Sequence, residues 1–128
     1  MKKDISSYLI RAKETLIEAD FAFQSKYFNM SVSRAYYAMF YAVTAVLLSQ
    51  GIERSKHSGV VSAFNQFFVN TGKFDAKFSK ALTDAFRFRN INEYIATPIA
   101  TEENSMRLLE DAKDLVRVCR DYCEKECK

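Results

Sequence analysis

The sequence predicts an all-α, up-and-down bundle of about five helices, and three observations carry that expectation. Glycine and proline are scarce, with 3 and 1 in 128 residues, so most of the chain must lie in long regular elements. That scarcity argues against turn-rich sandwiches, barrels and propellers. Apolar residues recur at alternating steps of four and three, the period of one helix face. No segment of useful length shows the period of two that a half-buried strand needs. Hydrophobic residues make up 48% and charged residues 27%, which excludes a disordered or fibrous chain. The length suits one domain over residues 1–128 and leaves no room for a second full-sized one.

The first helix is expected from about Asp4 to Phe23, where Ile5, Leu9, Ala12, Leu16, Ala19 and Phe23 lay down one apolar stripe. Gln24 to Asn29 has no clean period and reads as a short turn. The second helix takes Asn29 or Ser31 as its cap and ends at Gly51, the residue type that best tolerates a left-handed C-terminal position. Between Tyr36 and Leu48 it is apolar nearly all round. Such a helix belongs at the centre of a bundle or in a subunit interface, and a homodimer is expected on that ground. Its run Tyr36, Tyr37, Phe40 and Tyr41 covers more than one face, as core or as part of the dimer interface.

Ser55 can cap a third helix that carries Val60, Val61, Phe64, Phe67 and Phe68 and stops at Thr71-Gly72. Asp75 opens the fourth, with Phe78, Leu82, Ala85 and Phe86 inward and a polar end from Arg87 to Tyr94. Ala96-Thr97-Pro98 interrupts it, because proline cannot continue a helix and disfavours helical geometry just before itself. Thr101 starts the last helix with Glu102 and Glu103 at the positive end of its dipole. Leu108, Ala112, Leu115, Cys119 and Tyr122 continue the stepping.

Met1-Lys2-Lys3-Asp4 runs straight into an amphipathic pattern, unlike a signal peptide. The longest apolar stretch, Ala35 to Leu48, is about fourteen residues and too short to span a bilayer. It reads as a buried helix, and no membrane partner is expected. The 3 cysteines are an odd number crowded at the C-terminal end. A disulfide framework is therefore not expected, and a reducing cytoplasm is the natural compartment. Charge is uneven: residues 52–90 hold seven Lys or Arg against three acids, and residues 91–128 hold six against nine. The basic middle permits a phosphate-bearing partner, although a solvated mix of helix faces gives the same count.

Several chemistries are excluded by the residue inventory. A di-iron bundle needs Glu-x-x-His on two helices, and this chain has the single histidine His57. Cys119, Cys123 and Cys127 share one helical side, but zinc would lack a fourth ligand. No metal or cofactor is expected. There is no glycine-rich phosphate loop, and one histidine makes a nucleophilic triad hard to build. His57, beside Ser55, Lys56 and Ser58, reads first as a capping or packing residue. The segment Arg87-Phe88-Arg89-Asn90-Ile91-Asn92-Glu93-Tyr94 is the richest in chemistry. Arg87, Asn90 and Tyr94 recur along one helix face, and Arg89 can reach Glu93 one turn on. Guanidinium groups, amides and a phenol suit a phosphodiester or nucleotide. A surface Arg–Glu pair beside a half-buried tyrosine is the structural alternative.

The run Ser33-Arg34-Ala35-Tyr36-Tyr37-Ala38-Met39-Phe40, then Gly51, then Lys56-His57-Ser58-Gly59-Val60, then Phe64, Gly72 and Arg89-Asn90 with Tyr94 resembles the HEPN-domain family. More narrowly, it is similar to the small single-domain prokaryotic members often encoded beside a minimal nucleotidyltransferase. The resemblance covers roughly residues 5 to 122. It implies a helical bundle, commonly dimeric, with a cleft at the dimer interface. Many members are metal-independent ribonucleases that use an Arg, four to six residues, then a His; others bind nucleotides, or are toxins neutralised by the nucleotidyltransferase. Carried over, the motif arginine is Arg89, and Asn90 fills the polar place that often follows it. The histidine position holds Tyr94, a departure that matters because a phenol titrates far above neutrality and an imidazole near it. Catalysis, if present, is expected at Arg89, Asn90 and Tyr94. Nucleotide or RNA binding is expected at Arg87, Arg89, Tyr94, Arg34 and His57. The resemblance thus implies a toxin–antitoxin type protein that acts with a nucleotidyltransferase and binds nucleotide or RNA. The alternative is a metal-independent RNA endonuclease toxin, with a purely structural bundle as background.

Overall fold

Five helices form where the apolar periods fall: α1 Lys3–Gln24, α2 Phe28–Ser49, α3 His57–Phe64, α4 Ala76–Tyr94 and α5 Glu102–Glu126. These come from a computed structural model that describes residues 2–94 and 100–126, without the side chains of 92–94. The expected break at Ala96-Thr97-Pro98, and Cys127, lie outside the described residues. Among the described residues there is no strand. None of the described helices is long and apolar enough to cross a membrane.

α2 runs through the middle of the bundle, with α1, α5, α4 and α3 against it. Val32, Ala35, Ala38, Met39, Ala42, Val43, Ala45 and Val46 are fully buried. They share one core cluster with Ala12 and Ala19 of α1 and Leu108, Ala112 and Leu115 of α5. Alanines on α1, α2 and α5 let those helices approach closely while larger side chains fill the gaps between them.

Three helix ends obey the local chemistry of the sequence. Asp75 accepts a hydrogen bond from the Lys77 backbone N–H at 2.9 Å and caps α4. Thr101 Oγ1 accepts from Asn104 N–H at 3.1 Å, while Asn104 Oδ1 accepts from Thr101 N–H at 2.8 Å. This reciprocal pair is a capping box with asparagine in place of glutamate. After α2, Gly51 adopts φ 72°. Gly51 N–H then reaches Leu48 O at 3.0 Å and Ile52 N–H reaches Leu47 O at 2.9 Å, satisfying carbonyls the helix leaves open.

Three expectations are corrected. Neither Asn29 nor Ser31 caps α2, which starts at Phe28. The turn before it closes with Lys26 at φ 66°, bonding back to Phe23 O while Tyr27 bonds to Ala22 O. This is the same cap that Gly51 makes, built without glycine. Ser31 instead donates to Ala19 O across the α1–α2 seam at 2.9 Å, and Asn29 Oδ1 accepts from Ala100 N–H at 3.0 Å. Ser55 gives way to Lys56 before α3, and the last turn of the expected third helix, Asn65–Val69, widens to a π-helix. Cys123 is fully buried together with Cys119. Burial pushes the Cys119 thiol well above its ordinary range, and Cys123 beside it adds to the effect.

Candidate functional site

Arg89 lies on the polar stretch of α4, where α4 passes α2. Its side chain is half-buried and held at several points. Arg89 Nη2 donates to Tyr37 Oη at 2.6 Å, and Nη1 donates to Asn90 Oδ1 at 3.0 Å. Its guanidinium carbon lies 5.3 Å from the Tyr37 ring centroid and 5.8 Å from that of Tyr36. A cation over two aromatic faces, with two of its donors already directed, has lost most of its rotamer freedom before any ligand arrives.

The second side of the site comes from α2 and α3. Tyr36 is fully buried, so its hydroxyl requires a partner. It finds one in His57 Nδ1 at 3.0 Å. His57 is the first residue of α3 and stacks on Phe40 with centroids 4.2 Å apart. Its ring edge meets Tyr37 at 5.9 Å. Arg34, one turn before Tyr37, places its guanidinium 5.0 Å over the Tyr37 ring and sits 3.7 Å from Glu18. Arg34, Arg89 and His57 therefore converge on the adjacent tyrosines 36 and 37, with Asn90 holding Arg89.

Of the remaining expected residues, Arg87 stands apart from that cluster. Arg87 is exposed and lies 3.9 Å from Asp84. That carboxylate also meets Lys80 at 2.8 Å and Arg107 at 3.8 Å, which joins α4 to α5. Tyr94 is the last residue of α4, and its side chain lies outside the described residues.

Sequence reasoning did not single out Tyr36 and Tyr37 as parts of the site. It placed them in the core or in a dimer interface. Tyr36 is indeed core, but consecutive helical residues point about 100° apart, so Tyr37 turns to the half-exposed flank where Arg89 lies. The adjacent tyrosines following Arg34 were the available signal. The partner, 52 positions away along the chain, was not readable from spacing.

Arg34 and Arg89 each place a guanidinium over the Tyr37 ring, 5.0 and 5.3 Å from its centroid. Arg geometry suits the forked oxygens of phosphate. Away from this cluster, burial raises the Asp111 carboxyl on α5 above its ordinary range, with Arg107 opposing. Among the described residues no group of three His, Cys, Asp or Glu side chains is placed to hold a metal ion.

Residues 5–122 match the model of the HEPN domain. A "UPF0332 protein" of Thermotoga maritima is 39% identical over 96% of this chain and 88% of its own length. The "Putative toxin MJ0142" of Methanocaldococcus jannaschii is 29% identical over 94% of this chain and 82% of its own. Among solved structures, the crystal structure of ST0689, an archaeal HEPN homologue, superposes with a TM-score of 0.76. It covers 94% of this chain and 98% of that one at 19% identity, a likeness of fold.

Proposed function

The chain belongs to the HEPN-domain family, and from that membership we propose a toxin-like protein that acts with a partner nucleotidyltransferase and binds nucleotide or RNA phosphate at Arg89. The supporting observation is the fixed guanidinium, bonded to Tyr37 and Asn90 at 2.6 and 3.0 Å and already turned toward the half-exposed flank of α2. Arg34 adds a second cation, His57 and Asn90 supply polar contacts, and Tyr94 is the phenol nearest in sequence that could bond the phosphate or accept a nucleotidyl group. A relative's name containing the word toxin agrees with this assignment.

The chain then works as a single HEPN-like domain, in the cytoplasm, as a homodimer. Support for the dimer comes from α1 and the start of α2, where Phe21, Ile17 and Met30 are 72%, 61% and 57% exposed. These residues border Arg34, so a second copy seated there would abut the site. Light scattering at micromolar concentration should return twice the chain mass; a monomer would remove the dimer.

A second assignment, a metal-independent RNA endonuclease, is favoured by His57. An imidazole bonded to Tyr36 beside the Arg89 cluster puts a group able to give or take a proton within the site. Incubating the protein with structured RNA in EDTA, alongside Arg89→Ala, tests both. Cleavage by the wild type alone supports the endonuclease. With no cleavage by either, calorimetry with a candidate partner nucleotidyltransferase decides, and absence of binding there counts against the partnership.

A further inference from the structure

We propose that the Arg89 site is one end of a track for single-stranded RNA that crosses from α2 to α1 through Tyr37, Tyr41, Arg11 and Tyr8. This rests on the assignment of Arg89 as a phosphate site and extends it to a polymer. Tyr37 and Tyr41 are one turn apart on α2, with ring centroids 6.2 Å apart and planes inclined by 31°. Tyr8 of α1 continues the row, again 6.2 Å from Tyr41 and inclined by 32°. All three tyrosines are half-buried, so each keeps some accessible surface, and a base stacks on a ring as the overlying guanidinium moves to a phosphate. Guanidinium groups stand over the same row: Arg11 lies 4.7 Å from the Tyr41 centroid, and Arg34 and Arg89 lie 5.0 and 5.3 Å from that of Tyr37.

Alternating aromatic faces and guanidinium groups are what an unpaired strand requires. Each base needs a flat apolar face, and each phosphate a cation beside it. The ring spacing is nearly twice the roughly 3.4 Å rise of stacked bases, so the strand must be stretched, with one base per ring. A duplex cannot use the row because its base faces are already covered by one another. Arg11 is exposed, and its contact with Tyr41 can yield to a base without disturbing the core. Glu18, paired with Arg34, is the acid that an arriving phosphate displaces.

Fluorescence anisotropy with labelled hexauridylate and diuridylate tests the track, using wild type, Arg11→Ala, Tyr41→Leu and Arg89→Ala. Wild type should bind the hexamer more tightly than the dimer, and an unlabelled RNA duplex should compete poorly. Arg11→Ala and Tyr41→Leu should each weaken hexamer binding about fivefold or more and leave dimer binding nearly unchanged. Arg11→Ala should also lower the slope of log affinity against log salt by about 0.7. Circular dichroism and thermal melting establish that Tyr41→Leu is folded, and exposed Arg11 provides the variant that leaves the buried core intact. Hexamer binding that is unaffected by both variants but lost in Arg89→Ala overturns the track and leaves the Arg89 assignment standing. Binding unaffected by all three overturns both. Equal competition by the duplex overturns the stacking.

Discussion

The two sides of α2 are built from different materials. Ala35, Ala38, Ala42, Val43, Ala45 and Val46 share the core cluster with the alanines and leucines of α1 and α5, and contain no polar side-chain atom. On the side met by α3 and α4, Tyr36, Tyr37 and Phe40 contact His57, Phe86 and Arg89 through rings, hydroxyls and a guanidinium. Burial of area holds the first side together, and small side chains suffice there. The second side keeps hydrogen-bonding groups at the edge of the core, where each group needs a particular partner. Stability is expected to reside mainly on the first side and ligand binding on the second.

Substitutions on each side should separate these properties. The largest effect is expected from Leu115→Ala, which opens a cavity among fully buried neighbours. It should cost about 2–5 kcal/mol by denaturant titration, while the folded fraction retains its affinity for AMP. An equal loss of AMP affinity in that fraction would erase the distinction. Arg89→Ala comes next: AMP affinity measured by calorimetry should fall tenfold or more, with a stability change of about 1 kcal/mol or less. Arg89→Lys should restore little of it, since a point charge cannot keep the forked contacts to Tyr37 and Asn90.

Tyr36→Phe probes the boundary between the two sides. It removes the hydroxyl bonded to His57 but keeps the buried ring, so a loss of about 1 kcal/mol is expected. Because His57 is the only histidine, its proton resonances are unambiguous and should shift in this variant. Unmoved resonances would show that the contact does not form in solution. The smallest effect belongs to Arg87→Ala, two residues from Arg89 and exposed beside Asp84. Stability should change by less than about 0.5 kcal/mol, and AMP affinity by less than about twofold. A loss comparable to that of Arg89→Ala would move the site to the outer face of α4.

The helices were readable because their periods and caps are local. Asp75 and Thr101 cap where short polar side chains precede apolar runs, and Gly51 ends α2 where glycine removes the cost of a positive φ. The end of α1 was less legible, because Lys26 takes the same left-handed conformation without being the residue type that advertises it. Ser31 departs from expectation for a related reason. A serine near a helix start suggests a cap, but here its hydroxyl serves a carbonyl on another helix. Of the site, Arg89 and Asn90 were legible through their place in the motif that resembles the HEPN-domain family, since chemistry alone offered Arg87 equally. Tyr37 was not, since an aromatic residue in an apolar helix looks the same whether it packs in the core or holds an arginine.

The pattern of apolar steps, the few chain breakers and the order of motif residues were enough to determine a five-helix HEPN bundle with α2 at its centre. Each of these depends on neighbours within a few turns, which is the range over which helix period and capping act. Tertiary packing decided which arginine meets a partner in the site. Arg87 and Arg89 are indistinguishable by type and nearly so by position. They differ because two residues on a helix are separated by about 200°, and only the docking of α4 on α2 sets which of those directions faces Tyr37.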